Sequence, residues 1–373
     1  MSDPGSGQEP AAPIRVGIIG AGLSGAIHLA ALRAAPGFEA VSICARRPER
    51  AAAVALETRI PAHTGDFRAL CRDPGVDAVI VAAPPHLHHQ MAIAALEEGK
   101  HVLCEKPMAR NVAEARDMLR ISERAGTAAM INFQQRFLPI RQRIKALLEE
   151  RYLGEVHAVT MTIHRSSLND PMDRPWGWLS EADKAGGMLG ASGAHYLDAL
   201  RWWIGDIRSV AGALATRVPQ RRLPDGSGMG KVDADDNFAV ILRFASGALG
   251  TIHLTATAGF EGDEEITISG ERGLLMARGG ALFGARAGDP DLHEFALPSE
   301  RDPGQAYSHY LVGPTARLHQ AWERAIRTGE PGEPSFADGV KIQEVMDAVA
   351  RSGQQGRWSD TSGQRWQLGA HAV

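Results

Sequence analysis

Hydrophobic positions in the first third of the chain fall into two alternating rhythms. "IRVGIIG" (14–20), "EAVSICA" (39–45), "DAVIVAA" (77–83), "HVLCEKP" (101–107) and "AAMINF" (128–133) are short apolar runs. Between them lie "LSGAIHLAALRAA", "RPERAAAVALE", "LHHQMAIAALEEG" and "NVAEARDMLRISERAG", which read as helices. Fully apolar strands alternating with helices predict a parallel sheet covered on both faces. Sequential right-handed crossovers then make it doubly wound.

After residue 134 the rhythm changes. One more helix, "LPIRQRIKALLEE", precedes a succession of strand-like segments: "EVHAVTMTI", "SVAGALATRV", "NFAVILRF", "GALGTIHLTA", "EITISG" and "GLLMAR". Short turns such as "ASG" (245–247) and "GERG" (270–273) join them, which predicts antiparallel neighbours. Helical stretches at about 305–328 and 338–352 close the chain. The patch "RRLPDGSGMGKVDADD" (221–236) is rich in Gly, Pro and Asp and reads as a mobile surface loop.

Composition narrows the class. A length of 373 residues suggests two domains, and 44% hydrophobic with 23% charged residues excludes a wholly disordered chain. The 40 basic and 44 acidic residues leave a formal charge of −4 without a long basic run, so neither nucleic acid nor an anionic membrane is an expected partner. No apolar stretch approaches the roughly 20 residues of a membrane helix. Cys44, Cys71 and Cys104 show no C-x-x-C spacing and fit a reducing cytoplasm. "MSDPGSGQEPAAP" (1–13) reads as a disordered leader rather than a signal peptide.

"GIIGAGLSGAIH" places Gly20, Gly22 and Gly25 as G-x-G-x-x-G between the first strand and the first helix, the context of a dinucleotide-binding loop. The second strand ends at Ala45, Arg46 and Arg47, where an NAD site usually carries a carboxylate for the ribose 2′-OH. Arginine there can pair with a 2′-phosphate, so NADP(H) is expected in preference to NAD(H). "HVLCEKPMA" puts Glu105, Lys106 and Pro107 at the carboxyl end of a later strand, where ligands of such sheets bind. A lysine there can hydrogen-bond and polarise a substrate hydroxyl.

His195, in "GGMLGASGAHYLDALRWWIG", has three readings from its surroundings alone: base, metal ligand, or satisfied core histidine. Asp198, three residues on, could hydrogen-bond within its own helix. His86, His88 and His89 invite a metal reading, but no carboxylate or cysteine completes a catalytic zinc set. No metal is expected.

The chain resembles the glucose–fructose oxidoreductase/inositol dehydrogenase/rhizopine-catabolism family, Gfo/Idh/MocA. The matching stretches are "GIIGAGLSGAIH" (17–28), "AAPPHLHHQMAIAALEEGKHVLCEKPMA" (82–109), "GGMLGASGAHYLDALRWWIG" (186–205), "DDNFAVILRFASGALGTI" (235–252) and "PSFADGVKIQEVMDAV" (334–349). The resemblance implies a Rossmann domain, 14–133, and a C-terminal α/β domain, 134–373, with a large, mostly antiparallel open sheet for substrate binding and oligomerisation. A homodimer or homotetramer is the expected assembly. It implies hydride transfer between nicotinamide and a secondary alcohol or ketone of a sugar, cyclitol or sugar-derived compound. Lys106 would then polarise the reacting oxygen and His195 would exchange its proton.

The expected cofactor set is Gly20, Gly22, Leu23, Ser24, Gly25, Arg46, Arg47, Pro84, His88, Glu105 and Lys106. One departure stands out. The family motif often carries Asp four residues before the histidine, and this chain has Ala191. On an α-helix that spacing shares a face, so the partner carboxylate is missing. A dinucleotide-binding sensor and an oxidation–elimination enzyme with tightly held cofactor are the alternatives.

Overall fold

The computed structural model describes residues 11–298 and 309–362. The leader expected at 1–13 therefore falls almost wholly outside the described residues, as does the start of the helix expected from about 305.

The first sheet holds β1 (Ile14–Ile19), β2 (Phe38–Cys44), β3 (Ala62–Thr64), β4 (Ala78–Val81), β5 (His101–Cys104) and β6 (Ala129–Ile131), in the order β3-β2-β1-β4-β5-β6. All neighbours run parallel. The helices of this region are α1 (Leu23–Arg33), α2 (Pro48–Thr58), α3 (Phe67–Arg72), α4 (His88–Glu97) and α5 (Val112–Ala125). The apolar-run pattern anticipates the doubly wound sheet but omits β3 and α3. β3 is a three-residue edge strand, "AHT", with no buried position, and α3 is too short to show a period.

The second region begins with α6 (Pro139–Glu149), β7 (Val156–His164), α7 (Ala194–Ile204) and β8 (Ile207–Ala215). A small hairpin follows, β9 (Gln220–Arg222) and β10 (Met229–Lys231). Then come β11 (Asn237–Phe244), β12 (Leu249–Thr255), β13 (Glu264–Gly270), β14 (Gly273–Arg278), β15 (Ala281–Arg286) and β16 (His293–Phe295). The described chain closes with α8 (Val312–Thr328), α9 (Phe336–Gln355) and β17 (Ser359–Asp360). Nine of these strands form one sheet in the order β16-β15-β14-β13-β7-β12-β11-β8-β17. Its pairings are antiparallel except for β7 with β12, which run parallel.

Strand alternation decides how this sheet is covered. On β11, Phe238, Val240, Leu242 and Phe244 face inward and join a core with Leu197 and Leu200 of α7 and Val345 and Val349 of α9. Ala239, Ile241 and Arg243 face the other way and are exposed, as is Leu249 opposite Arg243 on β12. One face is therefore packed and the other open.

Two details depart from the sequence reading. The expected loop 221–236 contains most of the β9–β10 hairpin, whose first arm begins at Gln220. Arg221 is buried there and donates to Leu168 O (2.5 Å) and Asp170 O (3.3 Å). Gly and Pro marked the hairpin tip, not its paired arms. Second, α8 lies against the first sheet although it follows the second one in sequence. Leu318, Ala321, Trp322 and Ala325 share a core with Val16, Ile18, Phe38, Ile80 and Leu103, and Trp322 Nε1 donates to Ala128 O (3.2 Å).

Candidate active site

Strand order reverses between β1 and β4, and ligands of such sheets bind outside the carboxyl ends of the strands at that point. Gly20 has φ +129°, and a Cβ on it would stand 2.3 Å from Ala82 O of the neighbouring loop. A Cβ on Gly25 would stand 2.1 Å from Gly20 O. Gly22, by contrast, has open space before it and forms the N-cap of α1. No side chain caps that helix and its first turn holds no acid, so its N–H groups are free for an anion. Leu23 is exposed and Ser24 half-buried beside them. This cradle fits a dinucleotide pyrophosphate.

Arg46 and Arg47 lie exposed just beyond β2. Neither guanidinium has an ion-pair or hydrogen-bond partner among the described residues. Pro84 is half-buried where the chain leaves β4. The three nearby histidines go to three different places. His89 Nε2 meets Asp117 Oδ2 at 2.9 Å, and His86 Nδ1 is buried without a partner. His88 is fully enclosed, with Nδ1 3.0 Å from Pro107 O and Nε2 2.8 Å from Ala83 O. Burial lowers its pKa while the carbonyls pull the other way. The ring ties the β4–α4 turn to the lysine segment.

Lys106 follows β5. Its Nζ donates to Ala191 O at 2.6 Å, and Pro107 touches the space beside Gly190. The lysine segment and the turn before His195 thus meet directly. Burial lowers the Lys106 pKa, and the Glu105 carboxylate opposes that shift. Glu105 is itself buried. Burial alone would raise its carboxyl, but the His28 hydrogen bond and charge, Lys106 and Asn132 bring it down to about 2.

Residues 189–193 form a π turn leading into α7, so the α-helical spacing assumed for Ala191 and His195 does not hold there. The alanine side chain brings no acid. Its main-chain carbonyl instead takes the Lys106 ammonium. Asp235 holds the start of this turn, with Oδ2 accepting from Leu189 N (2.9 Å) and its carbonyl accepting from Met188 N (2.9 Å). Burial pushes the Asp235 carboxyl up to about 6.

His195 is 4% exposed, and its Nδ1 is enclosed without a hydrogen-bond partner. Burial first, then the positive charges of Lys106 and Arg141, push its pKa well below the usual value. The ring is therefore neutral at pH 7 and can accept a proton. Asp198 does not bond within its helix: it pairs with Arg136 through Nε (2.8 Å) and Nη2 (2.5 Å), both side chains buried. The sequence reading passed over Arg136 because its partner lies 62 residues away. It also passed over His28, Asn132, Arg141, Asp235 and His319. Only His28 carried a signal, as the last residue of the glycine motif.

Among the described residues no group of three His, Cys, Asp or Glu side chains is placed to hold a metal ion. No helix there is long and apolar enough to cross a membrane.

Comparison with known proteins follows the same division. Residues 14–133 match the model of the oxidoreductase family with an NAD-binding Rossmann fold, GFO/IDH/MocA. Residues 141–276 match the GFO/IDH/MocA C-terminal domain. The chain is 30% identical to levoglucosan dehydrogenase of Pseudarthrobacter phenanthrenivorans, over 93% of this chain and 98% of that one. It is 28% identical to human glucose-fructose oxidoreductase domain-containing protein 2, over 92% of each. Levoglucosan dehydrogenase in complex with NADH and L-sorbose superposes with a TM-score of 0.85 at 29% identity, covering 93% of this chain and 98% of that one. An oxidoreductase domain protein from Kribbella flavida superposes at 0.86 with 31% identity, covering 94% and 100%.

Proposed function

Because the chain belongs to the Gfo/Idh/MocA family of NAD-binding oxidoreductases, we propose that it oxidises a secondary alcohol of a sugar, cyclitol or sugar-derived compound, or reduces the matching ketone. The observation that carries this reading is the meeting of Lys106, just after the carboxyl end of β5, with the turn before His195, 2.6 Å apart at Ala191 O. The similar levoglucosan dehydrogenase, known in complex with NADH and levoglucosan, supports the sugar class.

The glycine loop and the start of α1 would hold the pyrophosphate, and the dinucleotide when bound supplies the hydride acceptor. Lys106 has three ammonium protons. One goes to Ala191 O, which leaves two for the substrate oxygen. The positive charge stabilises the developing alkoxide, and neutral His195 takes the hydroxyl proton. Burial, and after it the same positive charge, keep His195 from being protonated beforehand. His88 and Glu105 hold the lysine segment from beneath.

NADP(H) is the preferred cofactor in this reading, with NAD(H) second. Ala45 removes the usual ribose clamp, and Arg46 and Arg47 are free to meet a 2′-phosphate. A charge-assisted hydrogen bond contributes about 1.5–3 kcal/mol. Solvent weakens it at exposed arginines, so a preference of roughly tenfold to a hundredfold follows. The cysteines, all buried and free, suit a reducing cytoplasm. The open face with Ile241 and Leu249 suits a homodimer or homotetramer, measurable by light scattering.

The deciding experiment is a panel of sugars and cyclitols with each cofactor, followed at the reduced-nicotinamide absorbance. Net cofactor turnover supports the dehydrogenase. Substrate conversion without net turnover would point to oxidation–elimination, and binding alone to a sensor. Equal or tighter binding of NAD(H), or a preference unmoved by Arg46→Ala and Arg47→Ala, would refute the cofactor assignment.

A further inference from the structure

Four polar side chains from four parts of the fold meet beneath Lys106, and none of them has a part in the proton exchange described above. They are His28 on α1, Glu105 after β5, Asn132 after β6 and His319 on α8. Both histidines are 0% exposed, a costly place for an imidazole unless its nitrogens are used. Their rings stack with centroids 5.2 Å apart. His28 Nδ1 lies 2.9 Å from His319 Nε2, and His28 Nε2 lies 3.3 Å from Glu105 Oε1. Asn132 Nδ2 donates to the same Glu105 oxygen at 2.8 Å.

The direction of this line follows from what each group can do. An ionised carboxylate only accepts, so His28 Nε2 must present its proton to Glu105. Whichever imidazole carries the proton between the two rings, the His28–His319 contact fixes the His28 ring in the orientation that does so. The other Glu105 oxygen, Oε2, accepts the main-chain N–H of Lys106 at 3.1 Å. The line therefore begins on a helix more than 200 residues away in sequence and ends on the backbone of the lysine.

We propose that His319 and His28 are positioning residues for Lys106. Acting through Glu105, they set the main chain from which the ammonium reaches the substrate oxygen. Neither touches substrate. The proposal rests on the dehydrogenase reading above, in which that oxygen must sit within hydrogen-bond reach of Nζ. Misplacement by about 1 Å can cost on the order of a hundredfold in rate. The same line ties α1, whose first turn is the anion cradle, to the lysine, so both ends of the reacting pair share one support.

The test compares His319→Leu, which cannot bond His28, with His319→Gln, whose amide nitrogen can stand in for Nε2. The leucine variant should lose about 10- to 100-fold in kcat, with sugar KM and dinucleotide Kd within about threefold of wild type. The glutamine variant should recover most of that loss. Unchanged kcat in the leucine variant, equal loss in both variants, or a defect confined to cofactor Kd would each overturn the proposal. If the leucine variant does not fold, His319→Asn, one methylene too short to reach His28, carries the same expectations. Absence of turnover by the wild type across the sugar panel would instead count against the dehydrogenase reading. The line is then tested by acylation of Lys106 with an amine-reactive reagent, followed by mass spectrometry. Labelling several-fold faster in the leucine variant supports it, and equal rates overturn it.

Discussion

The Arg136–Asp198 pair gives the sharpest energetic expectation. Asp198 sits on α7 three residues after His195, and its partner lies beyond β6, so the pair pins the helix that carries the proposed base. Both side chains are buried, at 4% and 2% exposure. Removing one partner of a buried pair typically costs about 3–5 kcal/mol, because the other charge is left without compensation. The two single losses differ here. After Asp198→Leu, Arg136 keeps Asp338 Oδ1 at 3.4 Å and the Trp202 ring at 5.7 Å, so the cost should be about 3 kcal/mol. Arg136→Met leaves the carboxylate without its contacting cation and should cost more. The pH dependence has a definite sign. Burial raises the Asp198 pKa above its unfolded value despite Arg136, so this group's contribution to stability falls as pH rises from about 4 through the raised value. Losing Arg136 raises that pKa further, so the deficit of the methionine variant should grow as pH rises above the ordinary carboxylate range. The double variant Arg136→Met/Asp198→Leu removes both charges and should lie within about 1–2 kcal/mol of wild type. Urea unfolding of the four proteins, followed by tryptophan fluorescence and circular dichroism, closes the cycle. A coupling below about 1 kcal/mol, or single variants as stable as wild type, would refute the reasoning.

Three further outcomes are expected. Lys106→Met should lower kcat by two or more orders of magnitude while dinucleotide binding, followed by fluorescence titration, changes little; an unaffected rate would remove the lysine from the reaction. Gly25→Ala places a Cβ 2.1 Å from Gly20 O and should abolish dinucleotide binding without unfolding the second region, read by titration and circular dichroism. The Asp235 carboxyl, raised from 3.8 to about 6, binds its proton more tightly in the folded protein, so stability is lost as pH rises between those values. At 1.36 kcal/mol per unit that loss is about 3 kcal/mol at most, and Asp235→Asn should flatten the dependence in urea melts run from pH 4 to 8.

Most of the fold was legible because burial writes itself into sequence at short range. The runs ending at Ile19, Cys44, Val81, Cys104 and Ile131 bury consecutive residues, and so both faces, toward their carboxyl ends, as a covered parallel sheet requires. β3 was not legible, since an exposed three-residue edge strand carries no such mark. The hairpin arms 220–222 and 229–231 were hidden by the Gly and Asp between them. The glycine loop and the E-K-P lysine could be located because their chemistry is local and their strand context visible. The supports behind them could not. Asp235 clamps a turn 46 residues before it, and His319 reaches His28 across 291 residues. Isolated polar residues on apolar helices give no indication of which partner they will meet. The π turn at 189–193 was also invisible, because a helical period assumed through Ala191 differs from it by a single residue per turn.

The seating of α8 on the first sheet has a consequence for how the protein is made. The strands of that sheet are complete once Ile131 has been synthesised, but Leu318, Ala321 and Trp322 that cover part of it arrive about 190 residues later. At about 5–20 residues per second the interval is roughly 10–40 s on the ribosome. Throughout it, the nascent first domain lacks the helix whose Trp322 stacks on Phe38, with ring centroids 5.4 Å apart. A nascent chain stalled before residue 312 should therefore bind hydrophobic-patch chaperones, and one released after residue 328 should not. Supplying α8 in trans as a peptide should shorten chaperone residence on the stalled chain, whereas the same peptide with Trp322→Ala should leave it unchanged.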